Sequence, residues 1–388
     1  MKIEKPIRIL QVITIMNRGG AECMIMNYYN TIDRSKVQFD FLVHRDEKGA
    51  FEDDIESMGG KIYRMPAISP SNYSDYKRKL DAFFKEHKEY KIVHSHLNAL
   101  SSIVLNAAKE NNVPVRIAHS HIAIESDIYK NVFRKNTDIK ATVKDTIQSL
   151  VKYKVAKKAT HFFACSIKAG EWLFGKKHAS KVVVINNAIN ASLFSYNASK
   201  AEKIKIEHNL TGKKVIGHVG RFNEQKNHFF LLKIFEEIIK KDDNCVLVLI
   251  GIGNLMDSIK KEVERLNLKD HVIFLGLRDD INNLLQAFDL FLFPSLYEGL
   301  PVTLIEAQAS GLPIVASDTI TPEVDLTGLI SFLSINDSES KWADIVLDKL
   351  NHSRQNTFED IKNGSYDIYK NAKSLQDFYL NTSSDVRN

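Results

Sequence analysis

Only three cysteines occur in 388 residues, Cys23, Cys165 and Cys245, far apart and without metal-ligand spacing. A disulfide framework is excluded, and the three read as buried thiols of a reducing cytoplasm. Long apolar runs are absent too. None approaches the roughly 18–20 residues that span a bilayer. The opening residues, MKIEKPIRILQVITIMNRGG, enter a strand pattern at once, with no long apolar stretch or small-residue cleavage site, so no signal peptide is expected. Prolines number 8 and glycines 17, and no internal repeat or low-complexity segment appears. Missing as well are the third glycine of G-x-G-x-x-G after Gly251-Ile252-Gly253 (position 256 is Met), any Walker pattern, and any Asp-x-Asp at a strand end. A nicotinamide dehydrogenase fails on the first of these absences.

What is present is an ordinary globular composition, 44% apolar and 26% charged, in a chain long enough for two domains. The net charge of +5 is uneven: residues 129–181 hold 13 Lys or Arg against three acids, +10, leaving −5 elsewhere. Bases interleaved with Tyr129, Val132, Phe133, Leu150, Tyr153, Trp172 and Phe174 suit an anionic membrane surface more than nucleic acid. A solvated helix face is the plainer alternative.

Strand and helix patterns alternate almost throughout, which predicts parallel sheets. Strands are expected at Arg8–Thr14, Val37–His44, Lys61–Met65, Ile92–Ser95, Val113–His119, Thr160–Ala164 and Lys181–Ile185. In the second half they are expected at Lys214–Val219, Val246–Ile250, Val272–Leu275, Leu290–Phe293 and Pro313–Ala316. The polar stretch Ser195–Lys205 is the candidate linker. A last helix, about Ser365–Tyr379, carries Tyr366, Ile368, Tyr369, Leu375 and Phe378 and needs a partner surface.

The segment FLFPSLYEGLPVTLIEAQASG, Phe291 to Gly311, concentrates the chemistry. A buried strand ends at Pro294, and Pro301 precedes a helix over Val302–Ser310. Glu298 then lies on the loop and Glu306 in the second helical turn. Both can face a ligand at the helix N-terminus, where free N–H groups near Val302 and Thr303 suit a phosphate or diphosphate. Gly220, Arg221 and Lys226 follow the first strand of the second half, where Arg and Lys could meet the same anion. Gly19 and Gly20 end the first strand and let a backbone approach a ligand closely. His94, His96, His119 and His121 form two His-Ser-His strand ends, and residues i and i+2 share a face. Zinc could bind such a cluster, although no acidic or cysteine partner lies near.

The run EGLPVTLIEAQASGLPIVAS resembles the carboxylate motif of the family 4 retaining glycosyltransferases. The stretches IMNRGGAECMIMNYYNTIDRSKVQFDFLV, VRIAHSH and ACSIKAGEWLFG resemble a bacterial capsule and exopolysaccharide subgroup. The resemblance covers about residues 7–335. It implies an α/β GT-B fold, two Rossmann-like domains with a cleft between them. Residues 1–195 would form the acceptor-side domain, 196–364 the nucleotide-sugar domain, and 365–388 a helix crossing back to the first domain, with a tail.

The implied reaction moves a sugar, with retention, from a nucleotide-diphosphate sugar to a lipid-linked glycan. A UDP-sugar would be co-substrate, with no metal or other cofactor, at the cytoplasmic face of the membrane. Glu298, with Gly299, would contact the donor sugar and Glu306 the ribose hydroxyls. Arg221 and Lys226 would hold the diphosphate, and Gly19 and Gly20 would lie near its phosphates. One histidine would sit beside the reacting carbon. The register leaves His119 and His121 open, with His121 preferred because it ends the strand. Two departures touch this pattern: Asn187-Ala188 stands where the family often has Asn-Gly, and Ile252 where it has an acid. A non-catalytic nucleotide-sugar-binding subunit, or a same-fold phosphorylase or epimerase, would share these features.

Overall fold

The computed structural model describes residues 5–121, 151–298 and 300–385. The chain divides into two compact units, Met1–Ala188 with Ile368–Asn388, and Ile189–Asp367. The divisions fall after 188 and 367, against the expected 195 and 364. Ile189 belongs with the second unit because its N–H donates to the Tyr366 carbonyl at 2.9 Å.

Among the described residues of the first unit, seven parallel strands are β1 (Ile7–Ile13), β2 (Val37–Val43), β3 (Ile62–Arg64), β4 (Ile92–Ser95), β5 (Val115–Ser120), β6 (His161–Ala164) and β7 (Val182–Val184), in the order β3-β2-β1-β4-β5-β6-β7. Alternation along β1 sorts the core. Ile9 and Ile13 pack with the helix Gly20–Thr31 and with Ile368, Ala372, Leu375 and Tyr379 of the last helix. Leu10 and Val12 face the opposite layer, with Leu80, Val104 and Leu105.

The second unit holds six parallel strands, β8 (Lys214–Val219), β9 (Cys245–Ile250), β10 (Val272–Gly276), β11 (Leu290–Phe293), β12 (Ile314–Ser317) and β13 (Ile330–Leu333), in the order β10-β9-β8-β11-β12-β13. Both sheets reverse their winding direction once, at β1/β4 and at β8/β11. Ligands of open α/β sheets bind beyond the strand carboxyl ends at such a reversal.

Three expectations are corrected. Ser195–Lys205 is no linker: Asn197 caps a helix over Ala198–Glu207, its side chain accepting from the Lys200 N–H at 3.0 Å. The last helix begins at Ile368, because Ser365 takes a left-handed conformation (φ 67°) that breaks the preceding turn. Its buried face is Ile368, Ala372, Leu375 and Tyr379, while Tyr369 is exposed. β13 and the helix Glu339–Lys349, which buries Trp342 completely, had no counterpart in the sequence reading. Residues 151–158 are helical, and the residues from 122 to 150 lie outside the described residues.

Candidate active site

In the second unit the carboxyl ends of the paired strands β8 and β11 carry the predicted groups. After β8, Asn223 accepts a hydrogen bond from the Lys226 N–H and starts a single tight turn, Glu224–Lys226. Asn227 closes it in the left-handed region (φ 55°), which asparagine tolerates better than most side chains. Its side-chain amide donates to the Pro294 carbonyl at 3.2 Å, and the Leu296 N–H donates to Gln225 O at 2.8 Å. The turn is thereby docked on the loop that follows β11.

Docking brings Lys226 Nζ to 2.6 Å from Glu298 Oε1 and to 4.4 Å from the centre of the Phe293 ring. Gln225 Nε2 donates to Glu298 Oε2 at 3.2 Å and to the Tyr297 carbonyl at 2.9 Å. Both partners of the ion pair are largely buried, with side-chain exposures of 13% and 8%. This pairing was not foreseen; the sequence reading gave Lys226 and Glu298 separate ligand contacts. Arg221 differs. Its side chain is exposed and has no partner among the described residues, so its five donors are available to an anion.

The loop that presents Arg221 depends on glycines that the absent dinucleotide motif had left without a role. Gly251 adopts φ +136°, and a Cβ there would meet the Gly220 carbonyl oxygen at 2.0 Å. One at Gly253 would meet Phe222 O at 2.3 Å. The loops after β8 and β9 thus pack backbone against backbone, joined by Phe222 N–H to Ile252 O and Leu255 N–H to Phe222 O. Gly19 and Gly20 are less constrained. Gly19 is the extended N-cap of its helix, and nothing lies within 4 Å of a Cβ added at Gly20.

The helix Val302–Ala309 starts at Pro301 with no side-chain cap, so its first N–H groups, at Val302 and Thr303, point outward along the axis. Among the described residues, Thr303 Oγ1 and Ser295 Oγ are buried without partners. Glu306 has no carboxylate partner among the described residues. Burial pushes its pKa up to about 7, although the residue keeps some accessible surface. Gly299 lies outside the described residues.

Because the folded pKa of Glu306 is raised, the unfolded chain ionises first and stability is lost as pH rises through about 7. Glu306→Gln is therefore expected to stabilise the protein by a margin that is small near pH 4, grows with pH, and levels at on the order of 2 kcal/mol. Urea unfolding of both proteins at pH 4 and pH 8 checks this; a margin that is constant or shrinks contradicts it.

The first unit gathers its four histidines at the β4 and β5 carboxyl ends. His94 Nε2 lies 3.1 Å from His119 Nδ1, and His96 Nδ1 lies 2.7 Å from His121 Nε2. His94 Nδ1 meets the Tyr379 hydroxyl at 2.7 Å, and His96 Nε2 meets Gln11 Oε1 at 2.8 Å. Burial holds His94, His96 and His119 well below the usual imidazole range and His121 down to about 4, so all four rings are neutral at pH 7. Among the described residues, His119 Nε2 and His121 Nδ1 are buried without partners. Nitrogens of His94, His96 and His119 lie within 4.8 Å of one another, close enough for a shared ion. Yet both nitrogens of His94 and of His96 already take part in hydrogen bonds, so the cluster is organised as a polar network.

The membrane expectation rested on 129–181, of which residues up to 150, with Tyr129, Val132, Phe133 and Leu150, lie outside the described residues. Of its other aromatics, Phe174 is core, stacked on Phe162 at 4.7 Å. Trp172 packs against the same core and takes Lys152 Nζ over its ring at 5.0 Å. Tyr153 stands 75% exposed, beside exposed Lys154 and Lys157. Among the described residues no helix is long and apolar enough to cross a membrane.

Comparison with known proteins gives this geometry its setting. The family description "Glycosyl transferases group 1" matches residues 199–328, and "Glycosyltransferase Family 4" matches residues 18–193. EpsF of Bacillus subtilis (strain 168), named as a glycosyltransferase, is 38% identical over 97% of this chain and 98% of its own length. The capsular polysaccharide biosynthesis glycosyltransferase CapH of Staphylococcus aureus is 26% identical over 96% and 99%. An Escherichia coli UDP-Gal:alpha-D-GlcNAc-diphosphoundecaprenol alpha-1,3-galactosyltransferase is 27% identical over 88% and 89%. The crystal structure of Anabaena HepE in complex with UDP shares the fold, with TM-score 0.69 and 18% identity over 95% of this chain and 94% of that one. Kinship over nearly the whole length shows that the chain belongs to the family 4 glycosyltransferases of GT-B fold, in the branch named for bacterial capsule and exopolysaccharide synthesis.

Proposed function

We propose that this glycosyltransferase moves a sugar from a UDP-sugar to a lipid-linked glycan acceptor, with retention of anomeric configuration and without a divalent metal. The observation that carries the reading is the Lys226–Glu298 contact at the β8/β11 reversal, in the same unit as the uncapped helix Val302–Ala309 and exposed Arg221. A diphosphate gains negative charge as the sugar bond breaks. Arg221, Lys226 and the N–H groups of Val302 and Thr303 supply preorganised positive charge for it. Lys226 turns from Glu298 toward the diphosphate, and the released carboxylate takes up sugar hydroxyls. Glu306, which has no partner among the described residues, accepts from the ribose hydroxyls. In the first unit, taken by itself, Gly19, Gly20, His119 and His121 are the candidate ligand-contacting groups. Glu298 is not assigned as a covalent nucleophile.

The donor reading is supported by the UDP bound in the HepE structure and the UDP-Gal in the name of the E. coli relative, and the acceptor reading by that relative's diphosphoundecaprenol. The test is a panel of UDP-sugars offered with an undecaprenyl-diphosphate-linked monosaccharide. Product is weighed by mass spectrometry and its anomeric configuration is read by NMR. Transfer with the donor configuration kept, unchanged in EDTA, is expected. Inversion, or activity abolished by EDTA and restored by Mg²⁺ or Mn²⁺, overturns the corresponding part.

A lipid-linked acceptor requires residence at a membrane, which we assign to the exposed lysines around Tyr153. Each Lys near an anionic surface contributes about 1 kcal/mol, screened by salt. Salt-sensitive co-sedimentation with phosphatidylglycerol vesicles is expected, and it should be lost in Lys154/Lys157/Lys158→Glu. Lys152 is left in place because it packs on Trp172. Equal sedimentation of both proteins, or none of either, removes the assignment.

A further inference from the structure

Gln11 lies in mid-β1, beside His94 in the β1/β4 register, and is 1% exposed. Its side-chain amide touches two chains of hydrogen bonds at once. Its oxygen, Oε1, can only accept, so His96 Nε2 carries a hydrogen and donates to it. His96 Nδ1 is then a bare acceptor, and His121 Nε2–H donates to it. That leaves His121 Nδ1 as a lone pair with no partner among the described residues. On the other side, Gln11 Nε2 donates to the Tyr379 oxygen at 3.5 Å. The buried Tyr379 hydrogen needs an acceptor and finds it in His94 Nδ1. His94 Nε2–H then donates to His119 Nδ1, and His119 is left with an Nε2–H that has no partner among the described residues.

We infer that Gln11 is a positioning residue that sets the tautomer of all four histidines, so that His119 presents an N–H donor and His121 a bare acceptor nitrogen. Following the bonds gives one result for every ring: His94, His96, His119 and His121 all carry their hydrogen on Nε2. The two chains run with opposite polarity because an amide has one donating and one accepting end. A pair of stacked rings, centroids 4.2 Å apart, with one donor and one acceptor nitrogen suits a group that both accepts and donates, as a sugar hydroxyl does. The hydroxyl reading rests on the proposed sugar transfer; the tautomer reading does not.

The separation is useful because the tautomers can be read without substrate. In the full chain labelled with ¹⁵N-histidine, long-range ¹H–¹⁵N spectra distinguish Nε2–H from Nδ1–H for each ring, assigned by single His→Asn variants. The wild type should show four Nε2–H tautomers. The isosteric Gln11→Glu offers two acceptors. His96 and His121 keep Nε2–H, but Tyr379 now donates to the introduced carboxylate, so His94 and His119 switch to Nδ1–H. Tyr379→Phe, which keeps the buried ring, should leave His96 and His121 unchanged and release His94 and His119 into a tautomer mixture.

Nδ1–H tautomers in the wild type, or no change at His94 and His119 in both variants, overturn the inference. Gln11→Glu makes both outward nitrogens acceptors, so its kcat/KM for transfer should fall about tenfold, the scale of one hydrogen bond of about 1.4 kcal/mol. Half-inverted tautomers with unchanged kcat/KM would refute the hydroxyl contact alone. Loss of the tautomer pattern in a chain that transfers sugar normally would refute the relay and leave the proposed function standing.

Discussion

Arg221→Ala and Lys226→Ala should each lower turnover at saturating donor on the order of 10²-fold or more, the scale of losing one preorganised donor to developing negative charge. The two variants should differ in stability. Arg221 is exposed and has no partner among the described residues, so its removal leaves the melting temperature unchanged. Lys226 neutralises a carboxylate whose side chain is 8% exposed, and its loss strands that charge. Lys226→Ala therefore loses stability as well, on the order of 3 kcal/mol. Turnover and melting temperature measured together separate the roles. Near-wild-type rates in both variants would remove them from the diphosphate site, and equal melting temperatures would contradict the buried ion pair.

Arg354 carries the largest expected effect on stability. Its Nη1 donates to the Ser310 carbonyl at 2.6 Å, and its Nη2 reaches the carbonyls of Leu285, Gln286 and Phe288. Its guanidinium lies 4.5 Å over the centre of the Tyr196 ring. Burial lowers its pKa to about 10, which still leaves it charged at neutral pH. One side chain thus satisfies the carboxyl ends of two helices, Ile281–Ala287 and Val302–Ala309. Arg354→Ala leaves those carbonyls without donors in a dry environment, at about 1–3 kcal/mol each for groups that water cannot reach. A drop in melting temperature of roughly 10 °C is expected, with little recovery in Arg354→Lys, whose ammonium cannot span the fork. A shift below about 2 °C would show that water replaces the guanidinium.

The parts of this architecture written locally were legible in the chain. β8 and β11 fall at their expected bounds because each is an apolar run closed by breakers. The Glu298–Glu306 segment could be placed on a loop and a helix because proline and glycine mark both ends. What escaped depends on distant partners. The Lys226–Glu298 pair joins residues 72 positions apart, and Gln11 meets a tyrosine 368 positions away. A lone glutamine in an apolar strand carries no local sign of four histidines around it. The helix Ala198–Glu207 passed for a linker because Ala201 is the one residue it buries, too little for a helical period. The last helix was misphased by two tyrosines, Tyr366 and Tyr369, that lie outside its buried face.

The return of the last helix to the first unit has a consequence for synthesis. His94 is held by the hydroxyl of Tyr379, 285 positions downstream, and the β1 face is closed by Ile368, Ala372 and Leu375. A ribosome making roughly 5–20 residues per second delivers these side chains on the order of ten seconds or more after β7 has emerged. During that interval the nascent first unit displays an uncovered apolar face and an unfinished histidine network. The second unit, Ile189–Asp367, is continuous in the chain and has every core residue it needs before the first unit does. The unit translated first is therefore completed last, and a ribosome halted between 188 and 367 leaves that face for chaperones to shield.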